Sequence, residues 1–188
     1  MSQGLGKGAR TISDLLQDRI TSFIAKPNHE NKTYQSEFAQ LSIENDMVNT
    51  FFDEIHKFSD HFTFNFVESL KSDLDNIMQV ILQSSSEAST CFTLLTMMLR
   101  RLSPIEGAFA NTLILCKQMI QRLNSDQNVQ GSSQFNNFFE KHLFRSYAAL
   151  IKECPNKRQS ICELIYAHCS HDMQLRIRIV QSLKKYLR

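Results

Sequence analysis

The chain has 188 residues, 42% of them hydrophobic and 21% charged, with a net charge of +2, which suits one globular domain able to bury a core without disulfides or metal. Five Gly and three Pro, set against 14 Phe and seven Met, are too few breakers for a strand-rich domain, so the composition predicts an all-α protein. A secretory signal is not expected at the N-terminus, and no run reaches the roughly 18 apolar residues of a membrane span, so the protein is read as intracellular, nuclear or cytoplasmic.

Residues 1–10, MSQGLGKGAR, hold three of the five glycines and read as a flexible tail. They lack both a preceding strand and the GxxxxGK[ST] order of a phosphate loop. Residues 11–188 read as a single domain of about eight antiparallel amphipathic helices. The first opens at Thr11 or Ser13, with Asp14 in its first turn and Ile12, Leu15, Leu16, Ile20, Phe23 and Ile24 on one face. Lys26-Pro27 ends it, and the polar segment from Asn28 to Gln40 reads as a loop.

A second helix is predicted from about Ser42 to Asp60, with Glu44 and Asp46 in its first turn and Met47, Val48, Phe51, Phe52, Ile55 and Phe58 inward. A third, from about Thr63, carries the stripe Phe66, Val67, Leu70, Leu74, Ile77, Met78 and Ile81. After a turn and cap at Ser84 to Glu87, the most apolar stretch, Ala88 to Leu123, reads as two core helices joined at Ser103-Pro104, with Pro104 at a first helical position. Asn124 to Ser133 is the clearest loop. A sixth helix turns Phe135, Phe138, Phe139, Leu143, Tyr147, Leu150 and Ile151 inward and stops at Cys154-Pro155. A seventh runs from about Lys157 to Cys169, and an eighth follows Asp172 to the C-terminus.

Charge is unevenly spread. Residues 37–87 carry −8 and residues 155–188 carry +5, so opposite potentials are expected before and after the central hairpin. Lys157, Arg158, Arg178, Lys184, Lys185 and Arg188 are the candidate partner-binding cations, suited to an acidic protein or, as the alternative, to RNA or DNA backbone. Aromatic interleaving of the kind that stacks bases is missing there.

Other constellations point to structure rather than chemistry. Asp53, His56 and Asp60 share a predicted helical face, but a carboxylate metal site needs a second acid-x-x-His helix, and the sequence has none. Cys154, Cys162 and Cys169 are spaced too widely for paired zinc ligands, and His168 and His171 are read as capping the break before the last helix. Without a nucleophile elbow, kinase-type loop or HExxH pattern, no enzyme activity, metal or cofactor is expected. The five cysteines are odd in number and read as free buried thiols.

The last helix, with Asp172 at its start, Leu175-Arg176, then Ile179 and Leu183, resembles the second helix of a HEAT repeat. In that reading Arg176 reaches back to Asp172 and braces the turn. Predicted helix-pair starts near 42, 86 and 132 recur at a spacing within the HEAT and armadillo range. The resemblance implies an α-solenoid fragment whose second helices line a groove for a peptide or partner helix, a protein-interaction scaffold within a larger complex. A compact irregular helical bundle is the alternative architecture.

Overall fold

The computed structural model describes residues 10–25, 46–125, 137, 139–169 and 172–188. The expected tail, the loop after the first helix and the loop before the sixth fall almost wholly outside these residues. Among the described residues every element is helical, with nine α-helices and no strand, as composition predicts. No described helix is long and apolar enough to cross a membrane.

Helix α1, Ile12–Ile24, begins where the sequence places it. The Thr11 hydroxyl accepts the Asp14 N–H at 3.1 Å while the Asp14 carboxylate accepts the Thr11 N–H at 3.3 Å, so two amides otherwise left open are satisfied together. A third, that of Ile12, donates at 2.7 Å to the Glu87 carboxylate. Helix α2, Met47–Glu54, is capped by Asp46. It continues as a 3-10 turn over Ile55–Lys57 and stops where Phe58 turns extended. The next helix can therefore start early: Ser59 caps α3, Asp60–Ser72, not a helix opening at Thr63.

The predicted third helix is two helices. Asp73 leaves helical geometry with φ −99° and ψ 15°, ending α3 and preceding α4, Leu74–Ile81. Its carboxylate accepts from Arg19 Nε of α1 and from Asn76 Nδ2 one turn on, each at 2.6 Å, and the long-range bond from Arg19 accounts for a break that local periodicity does not reveal. The central hairpin is α5, Ser85–Leu102, capped by Ser84, and α6, Glu106–Ser125. Pro104 lies in the turn, two residues ahead of α6, and not at its first position. A π-helical turn, Phe139–Leu143, leads into α7, Phe144–Glu153. A 3-10 turn at Pro155–Lys157 precedes α8, Arg158–His168, and α9 is Met173–Tyr186 with Asp172 as its cap.

Buried apolar side chains from all nine helices join one core running from Ile12 to Leu183. Phe51, Phe58, Phe62, Phe66 and Phe23 knit α1, α2 and α3 by ring contacts at centroid distances of 4.7 to 5.6 Å, which favour edge-on and offset stacking. Helix α5 packs against α1, α2, α4, α6 and α7, so the most apolar stretch of the sequence is also the most enclosed.

Helices that follow one another as pairs pack on their counterparts in the next pair. Helix α2 lies against α5, α5 against α7, and α7 against α9; α3 lies against α6, and α6 against α8. Polar links show that these neighbours run parallel. At the ends of α2 and α5, Asp53 meets Arg101 Nε at 2.9 Å, and at the ends of α5 and α7, Arg100 meets Glu153 at 2.7 Å. In the other row Lys157 lies near Glu106, Lys117 near Glu163, and Asn124 near the Ala167 carbonyl, so both helices advance together. At one end α1 covers parts of α2, α3, α4 and α5.

Candidate functional site

The row α3, α6 and α8 is where a groove was expected. It holds an open concavity of about 390 Å³ between α3, α4 and α6, bordered by Glu68, Lys71, Ser72, Leu74, Gln118 and Arg122. Leu74 is the one apolar side chain among these. Lys71 Nζ donates to Glu68 at 3.1 Å and to Asn111 Oδ1 at 2.9 Å, and Arg122 is paired with Asp75. The charges of this groove are thus already engaged with one another.

Three apolar side chains on the row are exposed: Phe64, Ile114 and Tyr166. The Phe64 ring stands level with Gly107, 4.0 Å from where a Cβ would sit there. Ile114 is two turns further along α6, about 10 Å at the rise of a helix, and Tyr166 is level with Asn124, further still. They form no continuous patch, and singly exposed apolar residues are ordinary surface.

The six candidate cations divide. Lys157 Nζ is 3.5 Å from Glu106 and 5.2 Å from the centre of the Phe109 ring, so its stem and charge are used in joining α6 to α8. Arg178 makes a two-toothed pair with Glu140 at 3.1 and 3.2 Å, joining the π-helical turn ahead of α7 to α9. Arg158, Lys184, Lys185 and Arg188 are exposed and have no ion pair among the described residues. Long-range partners of this kind leave no trace in the local sequence.

Asp172 and Arg176 do not form the expected brace. The Asp172 carboxylate accepts the Leu175 N–H at 2.9 Å, the role of a helix cap, while the Arg176 guanidinium is exposed and makes no ion pair with it. Val180 is only partly buried, at the edge of the face formed by Leu175, Ile179 and Leu183. The outer side of α9 instead carries Met173, 64% exposed, and Ile177, 44% exposed. The signal for this second stripe was present in the sequence as apolar residues at positions that the first stripe does not use.

The weaker constellations resolve structurally. Asp53 binds Arg101, His56 Nδ1 lies 3.1 Å from the Asp53 carbonyl, and Asp60 opens a different helix, so the three do not share a face. Among the described residues no group of three His, Cys, Asp or Glu could hold a metal ion. All five cysteines are free thiols. Burial raises Cys91 well above the ordinary thiol range and pushes Cys116 up to about 12, which leaves little thiolate for reaction.

His168 is a core residue, not a cap. Its ring stacks on Phe139 at 4.6 Å, meets the edge of Phe92 at 5.4 Å, and has Nε2 3.2 Å from the Tyr147 hydroxyl. His171 lies outside the described residues. Burial drives the His168 pKa down to about 3, whereas an unfolded histidine titrates near 6.5. Between these values the unfolded chain binds the extra proton, so stability falls as pH is lowered through the window. From pH 6.5 to 5 the loss attributable to this group should be about 1.5 kcal/mol. Urea unfolding across that range should give a shallower pH dependence for His168→Phe than for the wild type; equal slopes would mean that the imidazole is protonated in the folded protein.

No family model matches the chain, and neither does any curated protein or solved structure.

Proposed function

We propose that the chain is a non-enzymatic, HEAT-like helical-repeat module that binds another protein and serves as a scaffold subunit of a larger intracellular assembly. The observation that carries this reading is the parallel packing of like helix on like. Contacts between successive pairs recur at sequence separations of 38 to 53 residues, a range that brackets the period of a stacked helix-pair repeat. An up-and-down bundle packs sequence neighbours antiparallel and has no need of such a period.

The nucleic-acid alternative is less well supported. Two of its six cations are engaged by Glu106 and Glu140, and the remaining four are divided between the start of α8 and the end of α9. A phosphate-tracking surface would present them together.

The test is to isolate the protein from cell extract with and without nuclease and size the product. Recovery of a protein partner in fixed stoichiometry, in a species well above 21.8 kDa and indifferent to nuclease, is expected. A lone 21.8 kDa species, or a complex that nuclease dissolves, would overturn the reading.

A further inference from the structure

Helix α9 has two apolar stripes. Leu175, Ile179 and Leu183 are buried in the core that α7 shares. On the outer side Met173, Ile177 and Val180 follow at steps of four and three residues, the first two 64% and 44% exposed. A helix apolar on two sides is built to be partnered on both. Met173 and Ile177 are one turn apart and so adjoin, unlike Phe64, Ile114 and Tyr166.

The charge around this outer stripe is of one sign. From Met173 to Arg188 there is no acidic residue. Arg176 and Lys184 border the stripe, Arg188 follows just beyond the end of α9, and all three are exposed, with no ion pair among the described residues, while Arg178 is turned to Glu140 and neutralised there. We propose that the outer face of α9 docks an acidic amphipathic helix of another protein. Such a helix would lay apolar residues at three- and four-residue steps on Met173, Ile177 and Val180, and its flanking carboxylates on Arg176, Lys184 and Arg188. The adaptable thioether of Met173 suits a partner surface.

Two other occupants fit less well. A second copy would bring the same cationic face against itself across a two-fold axis, placing like charges together. Nucleic acid would leave the apolar stripe unused. The aromatic residue of this helix, Tyr186, is not placed to stack bases: its ring lies 5.9 Å from Phe144, with Lys152 5.6 Å from its centre.

The proposal rests on the interaction-module reading and names its partner class. The experiment places a photo-crosslinking benzoylphenylalanine at position 177 of the full chain in cells, with position 121, exposed on α6, as control. The expected product is a crosslink from 177 alone to one segment of a partner, net acidic and with helical apolar spacing. A synthetic peptide of that segment should bind the purified chain. Ile177→Asp, and separately Lys184→Glu with Arg188→Glu, should each weaken binding by about tenfold or more. Ile177→Ser is a milder second variant, and circular dichroism confirms that each is folded. A crosslink to nucleic acid, to a second copy or to a basic segment would overturn the proposal, as would no crosslink or an unchanged peptide affinity. If a stoichiometric partner is recovered yet survives Ile177→Asp, the α9 proposal falls and the module reading stands. If no stoichiometric partner exists, both fall.

Discussion

Leu95→Ala and Leu115→Ala should each lower the unfolding free energy by about 2 to 5 kcal/mol, the range for a core leucine whose removal leaves a cavity. Leu95 is on α5 and Leu115 on α6, both buried, in the hairpin against which α1 to α4 and α7 and α8 pack. The walls of such a site are helices held from several directions, so little collapse into the void is expected and the cavity cost persists. Ile114, next to Leu115 but 45% exposed, is the internal control: Ile114→Ala should cost less than about 1 kcal/mol. Chemical denaturation at constant slope measures all three. A cost under about 1 kcal/mol at both leucines would place the hairpin outside the core.

Arg19→Met should destabilise by about 3 kcal/mol, the lower end of what breaking a buried pair costs. Asp73 is 6% exposed and cannot recover the lost interaction from water, whereas Arg19 is 38% exposed, which limits the penalty. Burial alone would raise the Asp73 pKa, but hydrogen bonds from Arg19 and Asn76 hold it below the ordinary carboxylate value. The pair therefore contributes stability above the unfolded aspartate pKa and loses it as pH falls through the lower folded one. Without Arg19 the loss should begin at higher pH. Asp73→Asn in the Arg19→Met background should recover part of the stability, because it removes the stranded charge. A double-mutant cycle at pH 7 measures the coupling, and additive effects would show that the two side chains do not act as a pair.

The effect of Arg19 on the boundary between α3 and α4 shows where sequence reading stops. The stripe from Phe66 to Ile81 keeps helical spacing through Asp73, so periodicity predicts one helix. The break is accounted for by a guanidinium more than 50 residues earlier in the chain, which local pattern cannot see. His168 is a second case. Its neighbours in sequence suggest a helix end, and it does end α8, yet Phe92, Phe139 and Tyr147 enclose it from α5, the π-helical turn and α7. A single-helix pattern does not distinguish a solvated terminal histidine from one closed over by three other elements.

By itself the sequence determined what depends on near neighbours: the all-helical class, the helix starts close to Thr11, Ser84 and Asp172, and the inward stripes of most helices. A helix is held by bonds four residues apart, and its buried face repeats every 3.6, so these properties are written within one or two turns. Tertiary structure alone decided which charges remain available. Lys157 and Arg178 are indistinguishable in sequence from Lys184 and Lys185, and differ because Glu106 and Glu140 are brought beside them from other helices. It also decided that α2 lies on α5 and α3 on α6 in parallel, and that of the two apolar stripes on α9 one is covered and one is not. Ion pairing and burial depend on which helices meet, and that is set by the packing of the whole chain on its core.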